Sequence, residues 1–355
     1  MDRVVLWWMA RFDAAGAPAP SPAASLQLMA RRLAPLLLVV GALAAFAAPG
    51  TAHADDAAPS DFETTVVSVT PPTETITFEP VGGGAFVQLT VAEGTTVEIR
   101  GYQSEPFLRV LADGTVEANE RSPSLYISRE ADGSGEAPAF ADAALPPVWR
   151  AVGRGGRYAW HDHRAHWMAE EPPPGAEPGS RIMDGVVPLV VDGAPVEVAV
   201  AVDWLPRPSP LPLYVGAGAA VLVLLSGLIA RRRLAWPLLL AGAGAGGIGW
   251  WQYRSLPTET GPAVVWWLLP AVAAVSALLA VFFGRRLLGA ALVVLAGLEL
   301  AVWAYLRRSA ATRPVLPTDA PFWLERGVLA AVAVIAVVGT LGGLVRLARP
   351  SRAES

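Results

Sequence analysis

Residues 196–233 read VEVAVAVDWLPRPSPLPLYVGAGAAVLVLLSGLIARRR, and the pattern changes character part-way along. Val196, Val198, Val200 and Val202 alternate with Glu197 and Asp203, the period of two that marks a strand with one buried face. The proline-rich run Pro206–Pro212 follows, and a run of this composition reads as a short stiff linker. From residue 211 to 230 the chain is almost wholly apolar and ends on Arg231, Arg232 and Arg233. A run of about 20 apolar residues is long enough to cross a bilayer. The stretch therefore predicts a β domain joined directly to a membrane region.

Working backward, period two recurs in Val87, Leu89 and Val91 and in Val97 and Ile99. Asp113-Gly114 and Asp192-Gly193 sit between such runs, as hairpin turns do. Several short strands, with no helical stretch among them, predict an all-β, immunoglobulin-like sandwich over residues 55–205. Two looser inserts interrupt it at 129–147 and 170–180, and 206–212 forms the linker. Working forward, apolar runs at about 211–230, 234–252, 263–283, 287–306 and 328–348 predict a five-helix transmembrane domain over 213–348, with 349–355 as a cytoplasmic tail.

Upstream, Arg31 and Arg32 precede an apolar run from Leu33 to Ala48 and a small-residue stretch ending in Ala52, His53 and Ala54. That succession predicts a signal peptide over 1–54, with Met29 as a conventional start. Cleavage after Ala54 discards His53; cleavage after Ala52 leaves it as a mature N-terminus able to chelate metal. An exported first domain makes the protein multi-pass in the plasma membrane with its N-terminal domain extracytoplasmic. Arg231–Arg233, Arg285 and Arg286 and the tail then face the cytoplasm, in agreement with the positive-inside rule. Arg307, Arg308, Arg313 and Arg326 count on the outer side.

The 355 residues contain no cysteine, which excludes disulfides, thiolate nucleophiles and cysteine-ligated metal. Residues 55–210 carry 24 acidic residues against 10 arginines. A domain this acidic is set against nucleic acid and favours cations. No nucleophile motif, phosphate loop or paired-carboxylate signature is present, so the expectation is a protein that is not an enzyme.

The concentrated feature is Tyr158–Met168, YAWHDHRAHWM, which holds three of the four histidines. On a strand, His161 and His163 share the face opposite Tyr158 and Trp160 and point outward; a turn near Trp160–Asp162 brings His166 round to join them. Imidazole is the commonest metal ligand. His161, His163 and His166 are the expected ligands, with Asp162 as ligand or as an acceptor orienting an imidazole, and Met168 as a soft ligand. Without cysteine, such a set points to copper. The competing reading is a satisfied hydrogen-bond network at a sandwich corner, in which the chain is an interaction or accessory protein with an envelope partner. Glu299 is the one ionisable residue well inside an apolar run; a membrane-embedded carboxylate is a functional candidate by default, and a transporter reading rests on it alone.

Gly101–Val110, Asn119–Tyr126 and His161–Trp167 together resemble uncharacterised actinobacterial membrane proteins with a signal peptide and an exported β domain. The plan is also loosely similar to copper-handling β-sandwich proteins of the bacterial envelope. The resemblance to the latter implies an N-terminal histidine ligand, which here is His53 and depends on the cleavage point.

Overall fold

A computed structural model describes residues 57–130, 132–229, 234–283 and 287–348. The signal peptide with Met29 and His53, the clusters Arg231–Arg233 and Arg285–Arg286, and the 349–355 tail lie outside the described residues.

Ten strands come first: β1 (Phe62–Thr70), β2 (Ile76–Val81), β3 (Phe86–Val91), β4 (Val97–Arg100), β5 (Pro106–Val110), β6 (Val116–Asn119), β7 (Trp149–Gly153), β8 (Arg157–Trp160), β9 (Arg181–Val191) and β10 (Ala194–Trp204). They form a seven-stranded sheet ordered β1-β10-β9-β4-β5-β6-β7 and a three-stranded sheet ordered β2-β3-β8. Every pairing is antiparallel. The two Asp-Gly pairs close hairpins as expected. At Asp192 and Gly193 φ is 47° and 80°, the left-handed geometry of a two-residue hairpin turn. One departure from the sequence reading is a helical turn at Ser124–Ile127.

The period-two residues meet in a single apolar cluster. Ile99, Leu108, Leu189 and Val198 come from the larger sheet and Phe78, Leu89 and Trp160 from the smaller. Trp160 packs edge-on to Phe78 at 5.9 Å and to Phe107 at 6.5 Å, geometries that add to the area buried. Below this cluster the carboxylate of Glu105 is buried and accepts from the hydroxyls of Ser122 (2.6 Å) and Ser124 (2.7 Å). Burial alone raises its pKa, but these donors outweigh it and hold the group below the usual range.

Five long helices follow: α1 (Leu211–Ile229), α2 (Ala235–Ser255), α3 (Val265–Phe283), α4 (Leu287–Leu306) and α5 (Phe322–Ala348). Three stretches, Val265–Phe282, Leu287–Leu306 and Phe322–Ala348, are long and apolar enough to cross a membrane. Leu211–Gly227 is a shorter apolar run, and α2 is diluted by its glycines, Gln252 and Arg254. Helix α5 begins six residues before the apolar run that predicts it and takes in Glu325 and Arg326. Close approach is built on small residues: a Cβ at Gly249 would lie 2.0 Å from the Trp266 carbonyl oxygen, and one at Gly242 2.9 Å from that of Pro270.

The linker is not the only join between β region and helices. Ser60 and Val315 exchange two backbone hydrogen bonds of 3.0 Å, Asp61 pairs with Arg313, and the Ala159 N–H donates to Glu259 Oε1 at 2.9 Å. Leu256, just after α2, packs on Ala57 and Phe86.

Gly185 in β9 has no room for a side chain, because a Cβ there would lie 1.8 Å from the carbonyl oxygen of Arg164. Neither backbone can yield, so Gly185→Ala is expected to destabilise the β region by about 1–3 kcal/mol. Denaturant unfolding of the detergent-solubilised chain, followed by tryptophan fluorescence, measures it; an unchanged midpoint would refute the contact. Glu105 sets a second expectation. Its depressed pKa contributes stability above the unfolded carboxyl value, lost as pH falls through the folded one. Glu105→Gln should flatten that acid limb.

Candidate functional site

Strand β8 ends at Trp160 and the chain turns, with the Ala165 N–H donating to the Asp162 carbonyl at 2.9 Å. Two contacts pin the turn: Thr64 Oγ1 donates to the Ala165 carbonyl at 2.7 Å, and Ala165 is buried in the core. The turn is stiffened by Asp162, which is 1% exposed. Its oxygens accept from Trp160 Nε1 (3.0 Å), Arg164 N–H (3.0 Å), Arg164 Nε (2.8 Å) and Arg164 Nη2 (2.7 Å). These donors come from Trp160 and Arg164, so Asp162 orients the Arg164 side chain. Arg164 Nη1 in turn donates to the Arg100 carbonyl at 3.0 Å.

The three imidazoles are brought together. Ring centres of His161 and His163 lie 5.1 Å apart, and those of His161 and His166 4.7 Å apart. His161 is buried rather than outward-facing, because the strand has already ended and the turn folds the ring back over β3. Two of the rings are held by main chain. His161 Nδ1 lies 2.5 Å from the Ala85 carbonyl oxygen, and His163 Nε2 lies 2.9 Å from that of Glu130. A carbonyl oxygen only accepts. Each of these two rings therefore donates one N–H, and in a neutral ring its lone pair sits on the other nitrogen.

Met168 is close by. A Cβ at Gly133 would meet both Met168 Sδ (3.1 Å) and His163 Cε1 (3.9 Å), which sets thioether and imidazole beside the same point next to that glycine. His161, His166, Met168 and Asp132 border one cavity of about 410 Å³ whose other wall is the Asp61–Arg313 pair. The loose insert 129–147 thus supplies Glu130, Asp132 and Gly133 to the site, a contribution its composition does not announce. Among the described residues, no group of three or more histidine, cysteine or acidic side chains stands ready to hold a metal ion as the rings are now turned.

Tyr102 is the residue sequence reasoning passed over. Its ring stacks on His163 at 5.5 Å, its hydroxyl accepts the His163 N–H at 3.1 Å, and Arg164 lies 5.1 Å over its face. Burial first, then the charge of Asp162, pushes its pKa up to about 12, which keeps it a neutral phenol. The Tyr102 N–H also donates to Ser124 Oγ at 2.8 Å. The runs 101–110 and 119–126 and the histidine turn are therefore one assembly.

No known protein family, curated protein or solved structure matches the chain. The site must be read from its own chemistry.

Glu299 is elsewhere, buried in α4 with the Ser276 hydroxyl as a neighbour. Ser226, on α1, is spent on the Val223 carbonyl, and Thr340 lies against Gly297. No continuous polar path links these groups among the described residues.

Burial first, and then the neighbouring imidazoles of His161 and His163, lower the His166 pKa to about 4. Between about pH 4 and the ordinary histidine value near 6.5, the unfolded chain binds a proton at this site that the folded chain does not. Stability therefore rises with pH across that window and is lost as pH falls. His166→Gln should remove this part of the pH dependence of the melting temperature, and the His166 Hε1 resonance should titrate near pH 4. A normal histidine titration would contradict the burial.

Proposed function

We propose that the chain is a non-enzymatic, membrane-anchored protein of the cell envelope whose extracytoplasmic β domain binds a transition-metal ion, copper first. His161, His163 and His166 are the ligands, with Met168 as a soft fourth donor. In this reading residues 1–54 are a signal peptide, the two sheets form a lopsided sandwich over 55–205, and all five helices span the plasma membrane, the first running from outside to inside.

The observation that carries the metal assignment is the set of carbonyls behind the rings. A metal-binding imidazole is neutral and usually donates its second N–H to a fixed acceptor, which sets its tautomer. Ala85 and Glu130 supply such acceptors to His161 and His163. Spacing agrees: nitrogens ~2.0 Å from a tetrahedral ion put ring centres about 5 Å apart, against 4.7 and 5.1 Å here. Binding requires the rings to pivot about these hydrogen bonds rather than leave them, and the cavity bordered by His161, His166 and Met168 leaves room for that. Imidazole with thioether and no carboxylate favours copper over magnesium or calcium.

The second reading, an interaction or accessory protein with a structural histidine turn, draws on Asp162. Its bonds to Trp160 and Arg164 support a role for part of the run in holding the fold.

Titration of the purified full chain with Cu(I), against a competing chelator, and with Cu(II) separates the two. Copper should bind at one site per chain, and the His161→Ala/His163→Ala variant should bind about 100-fold more weakly or not at all. Met168→Leu should weaken Cu(I) and spare Cu(II). Unchanged affinity in the double variant removes the metal reading. A wild-type chain that binds no copper, with variants that lose only stability, supports the structural one.

A further inference from the structure

The segment Ala57–Pro59 borders a second cavity at the β-proximal end of the helices. It measures about 110 Å³, and Gln252, Trp266 and Arg307 form its inner wall. Arg307 follows α4 and is 4% exposed; Gln252 is 1%, Glu325 0% and Arg326 6% exposed. Arg307 donates through Nη1 to Gln252 Oε1 and through Nη2 to Glu325 Oε1. Its guanidinium lies 4.9 Å from the Trp266 ring centre and 5.4 Å from that of Trp303. Its Nε is buried without a hydrogen-bond partner. Arg326 spends its donors on the carbonyls of Ala310, Arg313 and Pro314.

Of the two buried guanidinium groups only Arg307 pairs with the buried carboxylate of Glu325, whose Oε2 has no hydrogen-bond partner, while Arg326 feels that charge without bonding to it. A guanidinium does not shed its proton, and a buried charge without a counter-charge is costly. Among the described residues the cluster carries one more positive than negative charge beside this cavity. Gln252 gives its carbonyl oxygen to Arg307, which leaves its amide N–H groups as donors for the cavity.

We propose that this cavity binds a small monovalent anion, of halide or formate size, held by Arg307 and Gln252 against Trp266. At about 30 Å³ per water, the space takes the volume of three or four waters. That admits chloride, bromide or formate and excludes a phospholipid headgroup. One negative charge matches the surplus.

The test uses the full chain in detergent at constant ionic strength, with chloride exchanged for gluconate, which is too large for the cavity. The melting temperature should rise in chloride, bromide or formate relative to gluconate. Iodide should quench tryptophan fluorescence saturably, with chloride competing. Arg307→Gln should abolish both effects. Glu325→Gln doubles the positive surplus and should tighten chloride about tenfold, whereas a purely structural role predicts destabilisation with no anion dependence. If Arg307→Gln does not fold, Glu325→Gln together with Gln252→Leu, which should weaken binding, carries the decision. Identical behaviour in chloride and gluconate for wild type and Glu325→Gln overturns the proposal. So does a halide effect that persists in folded Arg307→Gln. Asp55 and Asp56 precede Ala57 in sequence; a halide effect seen only after both are changed to Asn would mean that the chain's own carboxylate fills the space, and would also overturn it.

Discussion

The carbonyl oxygens of Ala85 and Glu130 decide which nitrogen of His161 and of His163 carries the proton, and the rest of the site follows from that constraint. An acceptor with no proton to give forces the facing ring nitrogen to carry one. With His163 and His166 both about 5 Å from His161 the rings cannot comfortably all be cations, and the lowered pKa of His166 expresses first its burial and then that crowding. The β2–β3 turn at Gly82–Ala85 is thus both a hairpin and the backing plate of the histidine cluster.

Around that plate the protein uses its ionic groups in two ways. Asp162 is consumed in bracing the turn, Tyr102 is kept a neutral phenol, and Glu105 ties two distant runs through serine hydroxyls. At the helix ends, Arg307, Glu325 and Gln252 form a buried cluster of their own. Arg313 joins the two territories: its side chain pairs with Asp61 on the β side, while its carbonyl accepts from Arg326. The two cavities lie on either side of Ala57–Ser60 and share Ala58 and Pro59 as wall.

Much of this plan was legible in residue order. Asp-Gly pairs between alternating runs are a local signal and give hairpins wherever the flanking strands can pair. Apolar length gives helices for the same local reason. The start of α5 was not legible, because Glu325 and Arg326 look like a loop to any reading by hydropathy; they are helical since Arg307 and the Ala310 carbonyl meet them inside the fold. Nor did the charge count along the chain show that Arg307 and Arg326 are buried, since it treats each arginine as a surface marker. The turn after Trp160 was readable from the poor fit of Asp162 and Arg164 to a core-facing strand. The partners of the imidazoles were not: Ala85 is 76 residues from His161 and Glu130 33 from His163, and nothing local encodes such pairings.

The pairing of β1 with β10 aligns Phe62 with Trp204, so the first strand of the larger sheet finds its neighbour only in the last. A chain made from its N-terminus holds β1 without its sheet neighbour until residue 204 has been added, and α1 begins only seven residues later. Completion of the sheet and synthesis of the first helix are thereby consecutive events. The Ser60–Val315 contact comes later still, after α4 has been made. Strands waiting that long with open edges are exposed to wrong partners, and the short interval between β10 and α1 confines that exposure to the period before the helices are made.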